Sequence, residues 1–210
     1  EGLKLGGELR EVSVLMSDLR GFTPMSERST PEQVVEVLNR YLGCMTDVIE
    51  KHGGTIDEFI GDAILVIFGA PLACPDHAAR ATACALEMQL AMEAFNEESR
   101  ALGGSELQMG IAAHTAQVVV GNIGSSKRMK YGVVGSAVNL TARIQAFTLG
   151  NQVLVSEQTL QQLTGARVDG HLRVKVKGVE NPVCIYDIGA LGGAYDLKLP
   201  QPAHLQRAGV

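Results

Sequence analysis

Two aspartates stand where spacing alone could support chemistry. Asp18 follows the apolar run Val12–Met16, and Asp62 lies in the Gly61-Asp62 turn between the stretches Thr55–Ile60 and Ala63–Phe68. Acids at neighbouring strand ends suit a pair of hard divalent cations, which prefer oxygen ligands and bridge to substrate phosphates. The competing reading leaves Asp62 to shape a Gly-Asp turn and Asp18 to cap a loop. Gly21-Phe22-Thr23, directly after Asp18, forms a turn whose backbone N–H groups suit an anion. Lys127, Arg128, Lys130, Lys175 and Lys177 are the local cations for phosphate charge, although a solvated loop and strand face explain them equally well. Asn139 and Arg143 share a face of a predicted helix, an arrangement that also arises by chance. The histidines show no metal-ligand spacing, and no phosphate-loop, nucleophile-elbow or dinucleotide fingerprint is present.

The elements that must position these residues follow from periodicity. Val12–Met16 reads as a buried strand, and Ser29-Thr30-Pro31-Glu32 as a helix start with a hydroxyl cap and an early proline. Val34, Val35, Leu38, Leu42, Met45, Val48 and Ile49 keep helical spacing until His52-Gly53-Gly54. A hairpin then carries Asp62 in its turn. Pro75-Asp76 opens a second long helix reaching about Arg100, and 107–120 supplies two strand-like stretches. Residues 125–130 read as a polar loop and Tyr131–Val134 as a short strand. Ala137–Phe147 is a third helix, followed by a strand at Val153–Val155, a short helix at Glu157–Leu163 and a closing hairpin around Val174–Ile188. The order strand–helix–strand–strand–helix–strand is that of a ferredoxin-like α/β (α+β) fold with helices on one face of the sheet, here with extra strands and a C-terminal hairpin. The expected division is a linker over 1–10, one domain over 11–189 and a loose tail over 190–210.

Composition narrows the function. The chain has 210 residues, 18 Lys+Arg against 23 Asp+Glu, and 46% hydrophobic residues. That is a soluble globular composition without the basic face that nucleic-acid binding needs. No stretch approaches the roughly 20 apolar residues of a membrane span. Cys44, Cys74, Cys84 and Cys184 lack C-x-x-C spacing, which points to a reducing cytoplasm and no structural zinc. The chain starts at Glu1 rather than Met, as an excised part of a longer protein with an upstream regulatory domain would.

Three blocks agree with one another in order and spacing: Ser17-Asp18-Leu19-Arg20-Gly21-Phe22-Thr23, then Phe59-Ile60-Gly61-Asp62-Ala63, then Val134-Gly135-Ser136-Ala137-Val138-Asn139-Leu140-Thr141-Ala142-Arg143. Together they closely resemble the class III nucleotidyl cyclase catalytic domain over 12–188. The resemblance implies a ferredoxin-like core working as a head-to-tail homodimer with shared active sites. It also implies conversion of a nucleoside triphosphate to the 3′,5′-cyclic monophosphate and pyrophosphate with two Mg²⁺ or Mn²⁺ ions. Asp18 and Asp62 match the metal aspartates, with the Leu19 carbonyl as a further contact. Gly21, Phe22 and Thr23 match the phosphate cradle. Asn139 and Arg143, from the partner chain, match the ribose-orienting and transition-state residues. Lys175 aligns with the late phosphate lysine, with Lys177 as the alternative, and Lys127 or Arg128 adds a phosphate contact.

Base choice falls to two positions. The first, Lys in most adenylyl cyclases and Glu in guanylyl cyclases of the resembled family, is Glu58 here; the second is Gly132. An ionised Glu58 accepts both N1–H and N2–H₂ of guanine, while adenine offers an acceptor at N1, so GTP is favoured over ATP. Gly132 contributes no side chain to either base. The alternatives are an adenylyl cyclase, a degenerate cyclase-like dimerisation domain and another two-metal nucleotidyl-transfer domain on a palm-like fold.

Overall fold

The computed structural model describes residues 5–125 and 127–201. Its elements are β1 (Gly6–Arg20), α1 (Phe22–Arg28), α2 (Pro31–Lys51), β2 (Thr55–Ile60), β3 (Ala63–Phe68), α3 (His77–Ala101), β4 (Gln108–Ser125), β5 (Arg128–Val134), α4 (Ser136–Gln145), β6 (Val153–Ser156), α5 (Glu157–Leu160), β7 (Ala166–Val174), β8 (Val183–Leu191) and β9 (Leu197–Lys198).

Strand order is β2-β3-β1-β4-β6-β8-β7, with β5 paired to β4 and β9 to β8. The first four positions are the ferredoxin-like core. β1 runs antiparallel to both β3 and β4, whereas β4 and β6 are parallel. β1 therefore lies inside the sheet, and alternation sends its side chains to two different cores. Leu15 and Leu19 pack with Tyr41, Met45 and Ile49 of α2 and with the α3 face. Val12 and Val14 pack on the other side with Leu65, Ile67, Val118, Val120 and Ala137 of α4. Helices thus cover both faces, not the one face expected, because α4 brings an apolar stripe of its own.

Local signals explain most boundaries. Thr30 and Gln33 form a reciprocal capping box at the start of α2, with Pro31 in the first turn. Gly61, at φ 64°, supplies the positive dihedral required by the two-residue β2–β3 loop. A buried hydrogen-bonded chain crosses the sheet from His77 through Ser13, Thr115, Thr159 and Ser156 to His114, each link 2.7 to 3.2 Å. Every member has a partner, which makes these polar groups tolerable in the interior.

Further expectations change. The turn after β1 is the short helix α1, and the two stretches expected over 107–120 form, from Gln108 on, one continuous strand, β4. Residues 6–10, expected as linker, pair with 118–122 of β4. Residues 190–201, expected as loose tail, include the end of β8 and β9, with Tyr195, Leu197 and Leu199 against the core. The rest of both segments, 1–4 and 202–210, and Ser126 of the polar loop lie outside the described residues. That loop is otherwise shorter than expected, since β4 runs to Ser125 and β5 begins at Arg128.

Candidate active site

β1 and the β2–β3 turn deliver the two acids to one place. The Leu19 backbone N–H donates to Asp62 Oδ2 at 3.2 Å. Burial, and then the neighbouring Asp62 carboxylate, raise the Asp18 pKa, while Arg20 opposes the shift with an ion pair at 2.9 Å. Two crowded carboxylates, one pushed toward its neutral form, hold negative charge that a cation would relieve. An all-oxygen donor set of this kind fits Mg²⁺ or Mn²⁺. Among the described residues no group of three His, Cys, Asp or Glu gathers as a metal cluster.

Arg20 extends the site in a way the sequence did not announce. Its guanidinium reaches from Asp18 to the Gln145 and Thr148 carbonyls and the Thr148 hydroxyl, tying the β1 end to the chain just past α4. Tyr41, buried beneath the aspartates, donates to Met109 Sδ. Burial above all, with Asp62 and Asp18 adding to it, pushes its phenol pKa up, so it stays protonated.

Gly21 is the N-cap of α1 at φ 83°, without a side-chain cap. Phe22 and Thr23 open the helix, where backbone N–H groups have no partner within the helix itself. The short helix begins close behind Asp18, with Gly21, Phe22 and Thr23 at its start.

α4 carries Asn139, exposed, and Arg143, half-buried. Arg143 donates to the Lys177 carbonyl in the loop between β7 and β8. Lys175 and Lys177 are both exposed there, flanking buried Val176. Among the described residues, neither Asn139 nor Arg143 is hydrogen-bonded to Asp18 or Asp62. The acids thus stand at the end of β1 and in the β2–β3 turn, and the Asn–Arg–Lys group on α4 and the β7–β8 loop. Lys127 and Arg128 are exposed where β5 begins, at the far end of the β4–β5 arm.

Glu58, near the end of β2, has a side chain 56% exposed, with Lys130 Nζ at 3.7 Å from Oε2. Lys130 also bonds Asp57 at 3.1 Å. That bond, with the Asp57 and Glu58 charges, raises the lysine pKa and keeps its ammonium charged. Gly132 lies on the same arm and is buried. Asp57 and the place of Lys130 beside Glu58 were missed in the sequence; the only available signal was Asp57-Glu58 as consecutive acids in a strand.

Residues 7–189 match the family described as "Adenylate and Guanylate cyclase catalytic domain". The chain is 34% identical to adenylate cyclase 1 of Rhizobium meliloti, covering 85% of this chain and 27% of that protein. It is 34% identical to an adenylate cyclase of Anabaena cylindrica, covering 90% of this chain and 39% of that protein. The chain therefore spans well under half the length of these two curated relatives. Among solved structures it resembles the guanylyl cyclase Cya2, at 53% identity and TM-score 0.90 over 93% of this chain and 100% of that one. It also resembles the adenylyl cyclase CyaB of P. aeruginosa, at 32% identity and TM-score 0.83 over 92% of this chain and 100% of that one.

Proposed function

Because the chain belongs to the adenylate and guanylate cyclase catalytic domain family, we propose that it is a guanylyl cyclase, forming 3′,5′-cyclic GMP and pyrophosphate from GTP for second-messenger signalling. The observation that carries the choice of base is the Glu58 carboxylate, exposed on β2 with the Lys130 ammonium 3.7 Å away. A carboxylate in that position takes two donors from guanine, N1–H and N2–H₂, and the ammonium can donate to O6. Adenine has one donor on that edge and would leave a carboxylate oxygen unpaired, a loss of the kind that underlies strong discrimination. The 53% identity to a guanylyl cyclase points the same way. Adenylyl cyclase activity is the second reading, favoured by the two relatives described as adenylate cyclases.

In this reading Asp18 and Asp62 hold two divalent cations, Mg²⁺ or Mn²⁺, with the Leu19 carbonyl as a further contact. When bound, these supply positive charge at the triphosphate and lower the pKa of the ribose 3′-hydroxyl. The amides of Gly21, Phe22 and Thr23 orient phosphate oxygens. Asn139 holds the ribose so that the 3′-oxygen faces the α-phosphorus. As the 3′-oxygen gives its proton to water and bonds to the α-phosphorus while the bond to the pyrophosphate oxygen breaks, Arg143 meets the charge that develops on the α-phosphate. Lys175, or Lys177, takes part of the triphosphate charge, with Lys127 or Arg128 adding to it.

The acidic half-site and the Asn–Arg–Lys half-site come from different copies in a head-to-tail homodimer. Support comes from exposed apolar residues beside them: Phe59, Ile60 and Val134 are 45%, 51% and 53% exposed. The same reading places the domain in the cytoplasm, joined to a regulatory segment. No helix among the described residues is long and apolar enough to cross a membrane.

The test is product identity. Purified protein with GTP or ATP and Mn²⁺ or Mg²⁺ is resolved by chromatography, and cyclic GMP should dominate. Dominant cyclic AMP would leave the adenylyl reading. Neither product, from protein shown to dimerise, would leave a degenerate dimerisation domain.

A further inference from the structure

Strand β2 carries one extra residue beside the base-reading glutamate. Ile56 pairs with Val66 and Glu58 with Leu65, so Asp57 has no counterpart on β3. A bulge of this kind re-aims a side chain and breaks the strict alternation of faces. Asp57 and Glu58, consecutive in sequence, accordingly both reach Lys130 of β5, at 3.1 and 3.7 Å.

Their surroundings differ sharply. The Glu58 side chain is 56% exposed, whereas that of Asp57 is 6% exposed. Asp57 Oδ2 accepts from Lys130, while Oδ1 is buried with no hydrogen-bond partner among the described residues. A Cβ built at Gly132 would come within 2.9 Å of that Oδ1. The space a side chain at 132 would use is thus already taken, from the neighbouring strand, by a carboxylate. A half-satisfied buried carboxylate is costly, so an apolar residue would serve better if filling space were its only role.

We infer that Asp57 is a positioning residue of the purine site: it fills the place left by Gly132 and fixes the Lys130 ammonium so that Glu58 remains available to the base. The inference rests on the GTP reading above and extends it. Lysine ends a flexible four-carbon stem, and its ammonium is a point charge without directional preference. Without Asp57, Lys130 would swing onto Glu58 as its only near carboxylate and compete with the guanine N–H groups. With Asp57 as the closer partner, Lys130 is held in place and the Glu58 oxygens stay free. Pre-organisation of this kind reduces the ordering cost on binding. It also makes positions 57 and 132 a coupled pair, because any side chain at 132 must displace Asp57.

Steady-state kinetics of the whole chain with GTP and with ATP test this in Asp57→Asn, Gly132→Ala, Asp57→Ala and the Asp57→Ala/Gly132→Ala double variant. Asp57→Asn keeps the shape and loses the charge. It should lower kcat/KM for GTP by about tenfold, the scale of one charge-assisted hydrogen bond, mostly through KM, with ATP affected less. Gly132→Ala should cost a similar factor alone and close to nothing on top of Asp57→Ala. Thermal midpoints monitor folding, and if an Asp57 variant fails to fold, Gly132→Ala carries the selectivity test by itself. An unchanged GTP-to-ATP ratio in Asp57→Asn, or full additivity of the 57 and 132 substitutions, overturns the inference while leaving the GTP reading intact. A native preference for ATP overturns the GTP reading and, with it, the guanine role assigned to Asp57.

Discussion

The backbone N–H of Leu19 donates to the Asp62 carboxylate at 3.2 Å, across 43 residues of sequence. The end of β1 and the β2–β3 turn are therefore fixed to each other by a main-chain donor, which is not lost when side chains are exchanged. Asp18, the immediate neighbour of that donor, shares the resulting charge, and burial together with Asp62 raises its pKa.

Cation binding should consequently relieve electrostatic strain in the folded state. Mn²⁺ or Mg²⁺ is expected to raise the thermal midpoint of the native protein and to raise that of Asp18→Asn much less. Turnover in Asp18→Asn and in Asp62→Asn should fall roughly a thousandfold, matching the several kcal/mol a metal contributes to charge stabilisation. Equal midpoint shifts in native protein and Asp18→Asn would argue against the aspartate pair as the metal site.

The half-sites predict complementation between inactive chains. Asp18→Ala and Arg143→Ala are each expected to be nearly inactive alone. Mixed under conditions that permit exchange, they should recover activity, since each heterodimer contains one site with all its native residues. If heterodimers form, as native mass spectrometry can establish, and the mixture remains inactive, the shared-site arrangement is wrong.

Glu58 should control which purine is used. Glu58→Gln exchanges one acceptor for a donor, and GTP efficiency should fall by about a hundredfold or more, in line with sites built around a hydrogen-bonded partner. The ATP rate should change far less. Parallel competition assays with both nucleotides give the ratio directly, and a matching loss for GTP and ATP would move Glu58 out of the base site.

Acid stability follows from the buried histidine at the end of the hydrogen-bonded chain. Burial lowers the His114 pKa from 6.5 to about 4. Between these values the unfolded chain binds a proton that the folded chain does not. Stability is thus complete above pH 6.5 and is lost as the pH falls toward 4. With the residue 5% exposed, the shift corresponds to about 3 kcal/mol. His77, also lowered by burial, acts in the same direction. Urea midpoints measured at neutral and at mildly acid pH should converge in His114→Gln relative to the native protein. An unaltered pH slope would show that His114 is not the group responsible.

The helix start at Thr30 offers a test of local stability. Thr30→Ala removes the hydroxyl of the capping box and should destabilise the fold by about 1 kcal/mol. Cyclase activity at low temperature should be unchanged, because α2 meets the site only through its buried face.

By itself the sequence determined whatever rests on neighbours along the chain. Thr30-Pro31 marks a helix start through one hydroxyl and one fixed φ, and Gly61-Asp62 marks a hairpin through one positive dihedral. The three blocks around Asp18, Asp62 and Arg143 were likewise sufficient to identify the family and to bring the two acids to the same sheet end. The tertiary structure decided what depends on partners distant in sequence. Whether α4 covered the same face as α2 and α3 depended on which side of β1 and β4 had apolar surface left for Ala137. Residues 190–201 look like tail in composition, yet they pack because β8 has an edge for β9 and the core has room for Tyr195, Leu197 and Leu199. The Asp57 bulge exists only relative to the register of β3, and Lys130, 73 residues away, reaches it only because the β4–β5 arm lies beside β2. Local sequence fixes dihedrals and periodicity, whereas register and the approach of separate strands are properties of the packed sheet.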